Sequence, residues 1–153
     1  MNNYVIGLDP DSDKPGVAVY KNGKLIAVKS LGLFNLMDLL SGMKTDGSIH
    51  AHIENVCANN ARFKKGGVKN ARAATAINRS IGMVQQSQRN LEEMLNHLGI
   101  GYTLHSIDSK WKSQKGKREF ELVTGWKGQS NEDSRSAAYF GFLGVRNGNT
   151  KPC

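Results

Sequence analysis

The chain has 153 residues, a length that fits one domain able to bury a core without disulfide or metal staples. Its hydrophobic content of 39% and charged content of 22% read as soluble and globular, and no apolar run approaches the length of a membrane span. Lysine and arginine number 21 against 13 acids, giving a net charge of +8 and a pI near 9.6, an excess that favours a polyanionic partner.

The chain opens directly on a strand-like run, Tyr4 to Leu8, with no charged-then-apolar leader before it, so an intracellular protein is expected. A polar turn from Asp9 to Gly16 follows, then an extended run from Val17 to Tyr20. Asn22-Gly23 is a strong hairpin signal, and Lys24 to Lys29 reads as the third strand of a meander. Leu33 to Met43 has helical spacing, Gly47 marks a turn, and Ile49 to Val56 is a fourth strand. Cys57 to Val68 is a basic loop. Asn70 to His97 is a long helix stopped by Gly99, and Ile100 to Ile107 a fifth strand. Ser109 to Arg118 is a second basic loop, Glu119 to Thr124 a short helix closed by Gly125, and Asn131 to Gly144 a last helix before a loose tail over 145–153. The order predicts an α/β (α+β) single domain over 1–153, a five-stranded mixed sheet flanked by helices. Cys57 and Cys153 have no zinc-like spacing and read as free thiols in a reducing compartment.

The basic charge is clustered. Arg62, Lys64, Lys65, Lys69 and Arg72 form one stretch with Phe63; Lys110, Lys112, Lys115, Lys117 and Arg118 form a second with Trp111. Either run alone would read as a solvated loop. Two runs, each with an aromatic able to stack on a base, point to nucleic acid.

Three acids fall at comparable places. Asp9 ends the first strand, Glu54 lies late in the fourth, and Asp133 sits in the first turn of the last helix. Carboxylates so placed can converge above a sheet edge and hold Mg²⁺ through hard oxygen ligands, leaving positions for phosphate and water. Each acid also has a plainer role. Asp-Pro opens turns, and Glu54 shares a polar strand face with His50 and His52. Ser130-Asn131-Glu132-Asp133 fits a Ser-x-x-acid capping box. The alternation of Asp9, Asp11 and Asp13 suggests a calcium loop, but Lys14 and Tyr20 stand where an EF-hand needs Gly and Glu.

Taken together, the motifs resemble those of the RuvC-type Holliday junction resolvases. Ile6-Gly7-Leu8-Asp9-Pro10-Asp11-Ser12 with Gly16-Val17-Ala18 is similar to their first motif, Ile53-Glu54 to their second, and Asp133-Ser134-Arg135-Ser136-Ala137-Ala138 to their last, over about residues 4 to 142. The resemblance implies an RNase H-like fold, a homodimer, and nicking of four-way (Holliday) junctions with Mg²⁺, Mn²⁺ substituting. It makes Asp9, Glu54 and Asp133 the catalytic metal ligands, with Ser136 where the family has a fourth acid, and it places the protein in the cytoplasm of a bacterium or a phage-infected host. The chain departs from the family at Asp11, where the family has a glycine, and at Cys57, where the family has an aromatic wedge; Phe63 is the candidate substitute for the wedge. These departures favour a relaxed branched-DNA specificity.

Along the long helix Ile77, Ile81, Val84, Gln88, Leu91, Leu95 and Leu98 form a heptad-like stripe with one polar position. Such a stripe packs on a sheet or on a second subunit. Ala73, Ala74, Ala76 and Gly82 would admit a close partner helix, and the family resemblance implies pairing there. Two other functions remain open: a branched-DNA-binding module with a crippled metal site, and an actin-like ATPase fragment, which would need a second lobe that this length does not supply.

Overall fold

In the computed structural model, residues 1–58 and 71–148 are described. Five strands form one sheet in the order β3-β2-β1-β4-β5. β1 (Asn2–Asp9), β2 (Gly16–Lys21) and β3 (Lys24–Ser30) are the antiparallel meander expected, and Asn22 and Gly23 take the positive φ angles that a two-residue hairpin turn requires. β4 (Gly47–Glu54) pairs parallel to β1, and β5 (Gly101–His105) parallel to β4. This is the mixed five-stranded sheet with flanking helices read from the sequence.

The period of two along each strand decides which residues meet which helices. On β1, Tyr4, Ile6 and Leu8 are buried with Ala51 and Ile53 of β4 beneath α1 (Leu33–Lys44) and α2 (Ala71–Leu98), whose Leu36, Leu40, Leu91 and Leu95 close that core. The alternate residues face the other way. There Ala18, Tyr20 and Leu25 pack with Trp111, Phe120, Ala137 and Ala138 under α3 (Gln114–Thr124) and α4 (Glu132–Gly148). Asp9 has the parity of Gly7, and Glu54 the parity of His52. Both acids therefore point to the α4 side of the sheet.

α4 can lie close to that face because the contact is built from small residues. A Cβ on Gly7 would sit 1.8 Å from the Ala137 carbonyl oxygen, and one on Gly16 would sit 2.3 Å from the Asp133 carbonyl oxygen. Gly16 is the register partner of Asp9. The start of α4 is thus pressed against the very rung that ends β1.

Several element boundaries differ from expectation. Gly47 opens β4 instead of turning, and β4 ends at Glu54, followed by a single 3-10 turn over Val56–Ala58. β5 stops at His105, two residues short. α3 begins at Gln114, because Ser113 accepts a hydrogen bond from the Gly116 N–H and so caps a helix inside the expected basic loop. α4 runs on through Gly148, so residues 145–148 are helical rather than a loose tail. Among the described residues Cys57 is a free thiol, and no helix is long and apolar enough to cross a membrane.

Candidate metal and nucleic-acid site

Leu8 pairs with Ile53 across the parallel β1–β4 ladder, so Asp9 and Glu54 follow at adjacent strand ends on one face. Both are buried, at 2% and 5% exposure. Asp133 reaches the same place from the first turn of α4, with its side chain 41% exposed. The cation that meets them is Lys112. Its Nζ lies 3.4 Å from Asp9 Oδ2 and 3.9 Å from Asp133 Oδ1. Burial pulls the Lys112 ammonium down, but the charges of Asp9, Glu54 and Asp133 outweigh it and hold its pKa above the ordinary lysine value. Burial raises the Asp133 carboxyl, and the nearby charges of Asp9 and Asp11 raise it further. Shifts with these causes identify one coupled cluster rather than scattered surface charges.

The capping role weighed for Asp133 falls to other residues. Asn131 Oδ1 accepts from the Ser134 N–H at 2.8 Å, and Ser134 Oγ accepts from the Asn131 N–H at 3.0 Å. Those two residues form a reciprocal capping box shifted by one position from the expected Ser130–Asp133 pair. Asp133 is left facing Lys112. Ser136 lies one turn further along α4, buried; among the described residues its Oγ has no hydrogen-bond partner, and Asp9 Oδ2 has none beyond the Lys112 ammonium.

Among the described residues, no group of three His, Cys, Asp or Glu side chains is arranged to hold a metal ion as it stands. The chemistry of the donor set nevertheless fits a hard divalent ion. Carboxylates from three elements surround one lysine, and the buried Asp9 Oδ2 has no neutral hydrogen-bond donor among the described residues, only the Lys112 ammonium 3.4 Å away. The cluster as it stands is closed by an ammonium rather than by carboxylates alone.

Two expected DNA contacts require correction. Trp111 is only 1% exposed and cannot stack on a base; it packs on Phe120, Tyr139 and Phe142, with ring centroids 5.3 to 5.5 Å apart. Lys112 does not project from a solvated loop but turns into the acids. Lys110, Lys115 and Arg118 are exposed as expected, Lys117 is half-buried, and Arg72 is exposed on α2. Arg62, Phe63, Lys64, Lys65 and Lys69 lie outside the described residues.

The residue that the sequence did not single out is Arg135. It is buried at 5% exposure, yet it donates to backbone carbonyls: Nε to Trp111 at 2.9 Å and Nη2 to Lys112 at 2.7 Å, with Nη1 on Ser130 Oγ at 3.3 Å. It ties the 111–112 backbone to α4 close to Asp133. Gln88, the polar break in the long stripe, does similar service on the opposite side. Its amide donates to Asn55 Oδ1 and accepts from the Cys57 N–H, both at 3.0 Å, which fixes the backbone leaving Glu54.

Behind Glu54 on the same face stand three imidazoles. His52 shares a hydrogen bond with His105 (Nδ1 to Nε2, 2.7 Å), and His50 bonds Thr103 Oγ1 at 2.8 Å. His52 is packed beneath Gly144 of α4. Burial, together with the neighbouring His105 and His50, pushes its pKa down to about 4. The unfolded chain would take up this proton near the ordinary value of about 6.5. The folded protein therefore binds fewer protons between those limits, and the stability is fully present above the upper one and lost as pH falls toward the lower. Stability should drop by about 2 kcal/mol between pH 7 and pH 5 through this group. Urea unfolding at the two pH values, in wild type and His52→Gln, checks it: the variant should lose His52's share of the difference and keep that of His50 and His105, whose pKa values burial also lowers, and an unchanged difference would assign it elsewhere.

No family model matches the chain, and no curated protein matches it by sequence. Solved structures do. Thermus thermophilus RuvC in complex with a Holliday junction substrate aligns with a TM-score of 0.56 over 96% of this chain and 96% of that one, at 8% identity. A second Thermus thermophilus RuvC structure aligns with the same TM-score over the full length of both chains, at 10% identity. The chain has the RuvC fold. Likeness at this level of identity concerns the path of the backbone, and the RNase H-like architecture implied by the motifs is thereby established.

Proposed function

We propose that the chain is a divalent-metal-dependent endonuclease that nicks four-way junctions or related branched DNA, with Asp9, Glu54 and Asp133 as its catalytic acids. The observation that carries the reading is the meeting of these three acids and Lys112 at the ends of β1 and β4, on a backbone shared with RuvC. A bound Mg²⁺, with Mn²⁺ substituting, would activate a water and stabilise the leaving oxygen of a phosphodiester. Asp9 and Glu54 are the buried, fixed donors. Asp133, more exposed, stands nearer the side from which DNA would arrive, and Ser136 is a weaker oxygen donor one turn on. Lys110, Lys115, Lys117 and Arg118 flank Lys112 in the chain and supply phosphate contacts, as does Arg72 from α2. Arg62, Phe63, Lys64, Lys65 and Lys69 belong to the same proposed DNA surface on the strength of sequence alone.

A second reading, a branched-DNA-binding protein with little catalysis, is favoured by Ser136 in place of a fourth acid. Labelled four-way, three-way, flap and duplex DNA, incubated with and without Mg²⁺ or Mn²⁺, separates the two. The enzyme reading expects metal-dependent nicks near the branch point; tight binding to branched DNA without nicks under any metal supports the second.

The active form we propose is a two-fold dimer through α2, whose symmetry would match that of a junction. The stripe on this helix divides in two. Leu91 and Leu95 are buried in the chain's own core, whereas Ile77 is 42% exposed and Ile81 and Val84 are only partly covered. Among the described residues a Cβ on Gly82 would meet nothing, so the glycine, which costs about 1 kcal/mol relative to alanine in a helix, is taken to find its packing reason in a partner. Light scattering should give a dimer for wild type and a folded monomer for Gly82→Leu. A wild-type monomer at tens of micromolar, or a dimeric variant, would remove α2 as the interface.

A further inference from the structure

We propose that the Lys112 ammonium is the resident counter-ion of the acid cluster, holding the position that a divalent ion must take and leaving it when that ion binds. The inference rests on the metal-centre reading above and adds to it a competitor carried by the chain itself.

Asp9 is a carboxylate at 2% exposure whose Oδ2 has no hydrogen bond among the described residues apart from its contact with Lys112, and Glu54 is almost as deeply buried. Charges taken out of water need nearby charge of the opposite sign. Asp133 adds a third negative group to the same point, and like charges so close would repel one another were no cation present. Lys112 Nζ is the cation seated between Asp9 and Asp133.

It is seated there by construction. Trp111, buried under α3 and α4, anchors the preceding residue. Arg135 holds the carbonyls of both Trp111 and Lys112, and the N-terminal turn of α3 begins immediately after, at Gln114. The backbone of Lys112 is therefore fixed, while its side chain keeps the reach of a flexible four-carbon stem and remains 31% exposed. One ammonium, with a single charge and loose contacts of 3.4 and 3.9 Å, holds the carboxylates together less tightly than a divalent ion would. Displacement is consequently possible, and its direction is set: the released ammonium swings toward the exposed side of the cluster, where a phosphate would stand.

The whole 153-residue chain without DNA tests this, with Mn²⁺ as the probe. Free Mn²⁺ measured by electron paramagnetic resonance should show Lys112→Gln binding the ion about tenfold more tightly than wild type, because no resident charge has to be expelled. Lys112→Arg, which keeps the cation, should not gain. A second measurement needs no variant. In wild type without metal, Lys112 should resist an amine-acylating reagent more than the exposed Lys110 and Lys115 do, and Mn²⁺ should raise its labelling several-fold relative to those two, read by peptide mass spectrometry. Equal Mn²⁺ affinity in wild type and Lys112→Gln, or Lys112 labelling indifferent to Mn²⁺, overturns the counter-ion role and leaves the metal centre standing. Absence of Mn²⁺ binding in both proteins overturns the metal-centre reading and this proposal with it.

Discussion

Gly7→Ala should unfold the protein or destabilise it by at least about 3 kcal/mol, the largest effect of any single methyl group considered for this fold. The new Cβ would fall 1.8 Å from the Ala137 carbonyl oxygen and 2.8 Å from the Gly141 nitrogen. Both are helix backbone, which cannot rotate aside as a side chain can. α4 would have to lift from the sheet, and with it Asp133, Ser136 and Arg135. Gly42→Ala supplies the contrast. That glycine lies within α1, where a Cβ meets nothing among the described residues, so alanine should stabilise by about 1 kcal/mol. Urea unfolding of the two variants reads both signs. A Gly7→Ala protein as stable as wild type would mean that α4 does not lie against β1 as described.

Asp9→Asn and Glu54→Gln should each reduce DNA nicking by about a thousandfold or more while binding to branched DNA stays intact or strengthens. The expected asymmetry between cutting and binding is electrostatic. Each substitution removes a donor that holds the metal and also removes a negative charge that repels phosphate. Asp133→Asn should behave likewise. The helix cap is carried by Asn131 and Ser134, so the variant should lose cutting without much loss of stability. Single-turnover cleavage and a binding titration on the same junction measure the two quantities separately. Full cutting by any one variant would take that acid out of the centre.

The parts of this site that follow periodic rules are legible in the sequence itself. Strand pattern puts Asp9 at the end of the first strand and Glu54 late in the fourth; the face they share and the close crossing of α4 at Gly7 follow from the β1–β4 ladder and the packing. Lys112 and Arg135 are hidden for a physical reason. A lysine among lysines reads as solvated charge, and only the tertiary position of its backbone turns it toward the acids. Trp111 misleads in the same way, because its apolar partners Phe120, Tyr139 and Phe142 are distant in sequence whereas its basic neighbours are adjacent. One local signal is available: Ser113 followed by a helical run opens α3 at its observed start and shortens the basic loop.

The acids that meet at the ends of β1 and β4 are proposed to form a metal centre that cuts branched DNA. The most direct test is strand-resolved cleavage of a labelled four-way junction by wild type and Asp9→Asn under single-turnover conditions across a Mg²⁺ titration. Nicks near the branch point should appear only with metal, rise to saturation in wild type, and be lost in the variant at every concentration. Nicking by wild type in a chelator, or equal Mg²⁺ curves for the two proteins, would contradict it.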